Sequence, residues 1–236
     1  MTAHMAALCF RTNDPDAMAA FWSAMLGQPI TRDRRHLVLR PTPATGFEIR
    51  FHADPVPKTI PNSKHVDLTS SSISAQQHMV DRALAAGGQY ADVGQGQNET
   101  HVVLADPEGN EFCVIEPGNR FLAGCGAFGA VACDGSRRTG HFWSEAVNWP
   151  LVWDQDDEAA IQATPGTTKI SWGAPRPRVP ASERLYFALA PDPGSSLEQE
   201  SQRLQRLGAN LTRTCPDAKL WMTDPDGYEF CMEEAP

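Results

Sequence analysis

The chain has 236 residues, 41% of them hydrophobic and 21% charged, with a formal net charge of −9. That balance belongs to an ordinary globule, and the acidic excess excludes a cationic nucleic-acid surface. No apolar run is long enough to span a bilayer, and MTAHMAALCF lacks the basic and apolar stretches of a secretory leader, so a cytoplasmic protein with no membrane contact is expected.

In chain order, a short strand is predicted over Ala7–Thr12, followed by Asp14-Pro15-Asp16. Asp14 is placed to cap a helix, Pro15 suits its first position, and Asp16 favours the positive end of the dipole. Met18, Phe21, Trp22, Met25 and Leu26 then form one helical face, which Gly27 ends. Strands are predicted over His36–Arg40 and Phe47–His52, and the proline-rich PVPKTIP (55–61) reads as a connector. The pattern then restarts. His65–Thr69 reads as a strand and Ile73–Ala86 as an amphipathic helix stopped by Gly87-Gly88, with further strands near 90, 101–105 and 111–116. The Asp106-Pro107-Glu108-Gly109 stretch has the chemistry of a tight hairpin turn.

Everything so far is then said again. DPEGNEFC (106–113) recurs as DPDGYEFC (224–231), 118 residues on, and FWSAMLGQPI (21–30) recurs as FWSEAVNWPL (142–151), 121 residues on. PVPKTIP faces APRPRVP (174–180), and the loop VGQGQNET (93–100) has the shorter counterpart TRTCPDA (212–218). A repeat of this length is a duplicated domain, each copy large enough to own a core. The organisation expected is a first domain over 1–118, a linker over 119–126 and a second domain over 127–236, built from four small strand–helix–strands modules. Six cysteines (Cys9, Cys113, Cys125, Cys133, Cys215, Cys231) show no CxxC spacing and read as reduced thiols. Cys125 and Cys133, near the junction, are assigned no role.

This order of elements, with its "DP-helix-FW…LG" opening and DPEGNEFC ending, resembles the vicinal oxygen chelate superfamily. That group contains glyoxalase I, bleomycin-resistance proteins, fosfomycin-resistance thiol transferases and extradiol dioxygenases. The resemblance covers nearly the whole chain and implies an α+β fold of two tandem glyoxalase-like domains, each of two βαβββ modules, with sheets curled into cups. It also implies four inward metal ligands in the metal-using members. Carried over residue by residue, the first-strand ligand falls on Ala7, which cannot bind metal. The others fall on Glu48, His65 and Cys113. The resemblance thus implies a candidate ion site of Glu48, His65 and Cys113 in the first domain, with Asp67 on the same strand face as His65. In the second copy Phe128 replaces Ala7, Lys169 replaces Glu48, Tyr186 replaces His65 (or Leu185, if the strand slips by one) and Ala188 replaces Asp67, while Cys231 repeats Cys113. A cysteine kept where its partners are gone is explained by packing, so a metal-free protein is the favoured reading.

His65 and Asp67, lost from the other copy, are the candidate catalytic or ligand-orienting pair. Arg50 is a candidate for neutralising Glu48 or meeting an anionic ligand. Trp149, Trp153 and Trp172 have no tryptophan counterparts in the first copy; with Tyr186 they are candidates for lining a ligand cleft, or for filling the domain interface. The recurring Asp106 and Asp224 order their hairpins, and Glu111 and Glu229 are solvated or paired to a basic neighbour.

Two functions follow. The first is a metal-free small-molecule-binding protein, of the drug-sequestering bleomycin-resistance type, whose acidic balance suits a cationic or planar guest. The alternative is a metal-dependent lyase, isomerase or dioxygenase with one zinc, iron, manganese or nickel ion in the first domain. A degenerate pair with a scaffolding role is a third possibility. No nucleic-acid partner is expected, and the chain is read as a monomer with intrachain domain pairing or as a homodimer.

Overall fold

The computed structural model describes residues 3–33, 36–94, 96, 99–173, 183–215 and 219–234. The first module runs β1 (Ala3–Thr12), α1 (Pro15–Leu26), β2 (Ile30–Arg32), β3 (Leu37–Leu39) and β4 (Glu48–Ala53). The second runs β5 (Lys64–Leu68), α2 (Ile73–Ala85), β6 (Gln89–Tyr90), β7 (Val102–Ala105) and β8 (Glu111–Val114). The third is β9 (Phe128–Asp134), α3 (Arg137–Val147), β10 (Leu151–Gln155), β11 (Glu158–Gln162) and β12 (Lys169–Gly173). The fourth is β13 (Leu185–Pro191), α4 (Leu197–Leu207), β14 (Asn210–Thr214), β15 (Leu220–Thr223) and β16 (Glu229–Met232). The fold is therefore α+β, in four modules and two copies, as the repeat predicts. The connector predicted at 174–180 lies outside the described residues, as do parts of the loops at 93–100 and 212–218.

Local signals behave as their chemistry requires. Asp14 accepts from Ala17 N at 3.0 Å, Pro15 opens α1, and Gly27 closes it at φ 65°. β2 is an addition to the predicted elements: a three-residue strand that stands at a sheet edge, too short and too exposed to carry a pattern. Among the described residues no helix is long and apolar enough to cross a membrane.

The repeated motifs explain one another. Trp22 Nε1 donates to the buried Asp106 at 3.3 Å, and Trp143 Nε1 donates to Asp224 at the same distance. Asp106 also accepts from the backbone of Glu108 and Asn110, and Asp224 from that of Asp226 and Tyr228. The motif phenylalanines close the contact: Trp22 meets Phe112 at 5.4 Å between ring centroids, and Trp143 meets Phe230 at 5.1 Å. "FW" and "DP…EF" are thus two halves of one lock, tying the first helix of each copy to that copy's last hairpin.

The sheets, by contrast, are shared between copies. One has the order β14-β15-β16-β13-β1-β4-β3-β2, the other β10-β11-β12-β9-β5-β8-β7-β6. So module one joins module four, and module two joins module three, through antiparallel pairs β1/β13 and β5/β9. β1 and β13 read AALCF and LYFALA and are almost wholly buried on both faces, the pattern of central strands. Leu8, Phe10, Ile49, Phe51, Phe187 and Phe230 of the first sheet and Val66, Phe112, Val131, Ile161 and Ile170 of the second enter one continuous core. The opposite face of each curved sheet forms a cup.

Candidate functional site

Cross-strand register places side chains on each cup, because directly paired residues share a face. In the first sheet the cup face carries Trp221, Cys231, Ala188, Ala7 and Glu48 along one row and Tyr186, Cys9 and Arg50 along the next. Large groups fill it. Tyr186 and Trp221 are buried with ring centroids 4.8 Å apart, and the Arg11 guanidinium lies 4.8 and 4.6 Å over their rings. Arg50 Nε donates to Glu48 at 2.7 Å and Arg50 Nη1 to Glu233, which also pairs with Lys219 at 3.2 Å. Burial pushes the Cys9 thiol up to about 12, so it stays neutral and unreactive. This cup is packed shut by its own side chains.

The second cup differs. One row reads Val103, Cys113, Asp67, Ala130, Lys169 and Gln162; the next carries His65, Ala132, Ser171, Ala160 and Trp153. Its floor is therefore alanine and serine at Ala130, Ala132, Ala160 and Ser171. One wall holds the acid, the imidazole and the thiol. His65 Nε2 lies 3.4 Å from Asp67 Oδ1, and one donor atom each from His65, Asp67 and Cys113 fall within 4.8 Å of one another. Burial works against charge on His65, but hydrogen bonding to Asp67 and Cys113 and the Asp67 charge outweigh it and raise the ring to about 10. Burial raises the Cys113 thiol in turn, against the pull of His65.

The far wall belongs to the other copy. Lys169 Nζ donates to the Phe121 carbonyl and lies 4.8 Å from that ring, whose edge meets half-exposed Trp153 at 6.4 Å. Phe121 sits between β8 and β9, so the segment expected to be a plain linker crosses one end of this cup. Gln162 reaches Cys125 Sγ in the same segment at 3.7 Å. A cavity of about 270 Å³ opens beside the crossing, lined by Thr69, Ile115, Glu116, Asn119 and Leu122 among others.

The predicted site residues are thus redistributed. Glu48 stands on the first sheet and His65 and Cys113 on the second, so the trio Glu48, His65 and Cys113 is not one group; Asp67 takes the carboxylate's place. The reason is strand partnership: Glu48 shares a domain with His65 but not a sheet. Arg50 neutralises Glu48, and Tyr186, hydrogen-bonded to His52 at 3.3 Å, is buried in the filled cup rather than facing a cleft. Trp172 is in the core, stacked on Trp143 with 11° between planes. Trp149 packs partly buried against the core, and Trp153 alone of the three reaches the open cup. The register also puts Ala130, not Phe128, in the place of Ala7, since Ala7 pairs with Glu48 as Ala130 pairs with Lys169. Glu111 pairs with Lys58 and Glu229 with Arg11. Phe121 and Lys169 escaped the sequence reading as wall residues; the signal available was a lysine standing where the other copy has a glutamate.

The family model described as "Glyoxalase-like domain" matches this chain twice, over residues 7–115 and 129–233. No curated protein matches the chain at a significant level. Among solved structures, glyoxalase I from Zea mays is similar at 14% identity and TM-score 0.61, covering 99% of this chain and 92% of that one. A glyoxalase-related enzyme from Fulvimarina pelagi covers 54% of this chain and 96% of its own, at 19% identity and TM-score 0.42. A glyoxalase/bleomycin resistance protein/dioxygenase family enzyme from Burkholderia phytofirmans PsJN covers 48% and 97%, at 20% identity and TM-score 0.37.

Proposed function

Because this chain belongs to the glyoxalase-like domain family over both of its copies, we propose that it binds one small organic molecule, in the cup of the second sheet. The observation that supports this reading is the contrast between the cups: one filled by Tyr186, Trp221 and Arg11, the other floored by Ala130, Ala132, Ala160 and Ser171. Ligand sites are concave, with a few convergent polar groups set among apolar ones. Trp153 and Phe121 supply the aromatic wall.

The charges at hand refine the guest. Net charge alone suggests a cationic one, but the central rows of the cup bring Lys169 and His65 beside the Asp67 carboxylate. Lys169 is bonded to one carbonyl and keeps two further donors. It lies two strands from Asp67, roughly 10 Å at ordinary strand spacing. A flat or aromatic molecule with an acidic group fits that span. The first strands of the four modules pair with one another within the chain, β1 with β13 and β5 with β9.

Titration with anilinonaphthalene sulfonate, an anionic aromatic dye, tests the proposal. One equivalent is expected to bind with enhanced fluorescence. Ala132→Trp, which fills the open floor without entering the core, is expected to abolish binding. Lys169→Met is expected to weaken it by roughly tenfold or more, the value of one charge-assisted contact. Unaltered binding in Ala132→Trp would place the dye elsewhere and sink the reading.

A further inference from the structure

We propose that the cavity beside the crossing segment is an annexe of the second cup, and that it takes an apolar arm of the guest ending in an anionic group held by Arg120. The proposal rests on the reading of that cup as the ligand site and extends it to the length and second charge of the guest. Strand geometry joins the two spaces. Asp67 and Cys113 are direct partners across the parallel β5/β8 pair, on the cup face. Two residues further along the same face stand Thr69 and Ile115, and both line the cavity. The hydrogen-bonded ladder continues that far, with Ile115 N donating to Leu68 O at 2.8 Å and Thr69 N to Ala127 O at 3.0 Å.

Volume sets what can enter. At about 270 Å³ the cavity lies just below the roughly 300 Å³ at which pockets begin to hold a whole drug-sized ligand. It has the size of an arm, with the cup beside it for the remainder. Its walls are pinned. Leu122, the buried residue of the crossing segment, seats against β9 because Gly129 has no side chain: a Cβ there would come within 2.7 Å of Thr69 Cγ2 and 3.0 Å of Leu122 Cδ1. Thr69 Oγ1 donates to the Gly126 carbonyl at 2.9 Å, which ties the end of β5 to the end of the segment.

The polar groups set the chemistry. The Ser70 hydroxyl, like that of Thr69, donates to a backbone carbonyl, that of Ile115 at 2.6 Å. Asn119 donates to Glu116 at 2.9 Å and accepts from Leu122 N at 3.1 Å. Arg120 is different: it is exposed on the cavity rim, and its guanidinium has no hydrogen bond or ion pair among the described residues. The remaining side-chain surface is Ile115, Leu122 and Ala123. Polar groups along an arm would be desolvated there beside side chains already paired, whereas methylenes lose only water. A carboxylate or phosphate at the tip meets the fork of donors on one guanidinium. Lys169, bonded to the Phe121 carbonyl, stands in the cup next to the same segment. The guest assigned is therefore a flat acidic head joined by an apolar chain to a second acid.

Calorimetric titration of the full chain with a graded set of probes is the test. Aminonaphthalene sulfonate acylated by succinic, adipic or suberic acid carries one flat anionic head and a methylene arm of increasing length ending in a carboxylate. Affinity is expected to rise from the succinyl to the suberoyl probe by about tenfold or more, the value of one charge-assisted contact. Arg120→Met should bring the suberoyl probe down to the level of its octanoyl analogue, which lacks the terminal acid, and leave the succinyl probe unchanged. Ala123→Trp, an exposed position on the cavity rim, should remove the length dependence while anilinonaphthalene sulfonate binds as in the parent. Both positions are exposed, so both variants should fold, with circular dichroism as the check. Equal affinity along the series in the parent, or a suberoyl affinity that Arg120→Met leaves unaltered, overturns the annexe. Dye binding that stays sensitive to Ala132→Trp while the series is flat would discard the annexe and leave the cup standing; failure of the dye and of every probe to bind would discard both.

Discussion

Replacing Asp106 by asparagine isolates the cost of burying a carboxylate inside the lock between helix and hairpin. The side chain is fully buried, and desolvation pushes its carboxyl from 3.8 up to about 6, against the donors Asn110, Glu108 and Trp22. A raised value means that the folded chain holds the proton more tightly than the unfolded chain. The associated stability is fully present below 3.8 and is lost as pH rises through about 6. That difference corresponds to about 3 kcal/mol. Asparagine has the same shape, keeps one acceptor oxygen and does not titrate. The stability of the parent relative to Asp106→Asn should therefore rise by most of about 3 kcal/mol between about pH 7.5 and pH 4. Urea denaturation of both chains at a series of pH values measures it. Asp224→Asn should show the same trend, because Asp224 is likewise buried and raised to about 6, again chiefly by desolvation. Parallel stability curves for parent and variant would refute the reasoning, since they would mean that the buried carboxyl has the same proton affinity folded and unfolded.

His52 moves the opposite way. Burial lowers it from 6.5 to about 2, helped by His36, Lys219, Arg50 and Arg11 nearby. Below 6.5 the unfolded chain gains a proton that the folded chain refuses, so stability falls by up to about 1.4 kcal/mol per pH unit. His52→Phe should remove that slope from acid denaturation curves, and an unchanged slope would contradict the assignment. Trp172→Ala should cost about 3–5 kcal/mol, as a large cavity beside Trp143 does. Any folded fraction should still bind the dye with parent affinity, since Trp172 faces the core. Weakened dye affinity at full folding would return it to the ligand site.

Much of this architecture was legible in the chain alone because its signals are local. The capping of α1 by Asp14, its stop at Gly27 and the DPxG turns each depend on a few neighbouring residues. The repeat of 118–121 residues needs no structure to be seen. Alternation in KHVDL put His65 and Asp67 on one face, and they are there. The mutual contact of the FW and DP motifs was invisible, because nothing in either stretch names its partner. The same limit governed the site. Periodicity says which face a side chain takes, but not which strand lies alongside, since nothing in a module's first strand names the strand it pairs with. Only the tertiary fold decided that β1 takes β13 and β5 takes β9. That choice carried Glu48 into a filled cup, brought Lys169 of one copy opposite Asp67 of the other, and left His65, Asp67 and Cys113 together over an alanine floor.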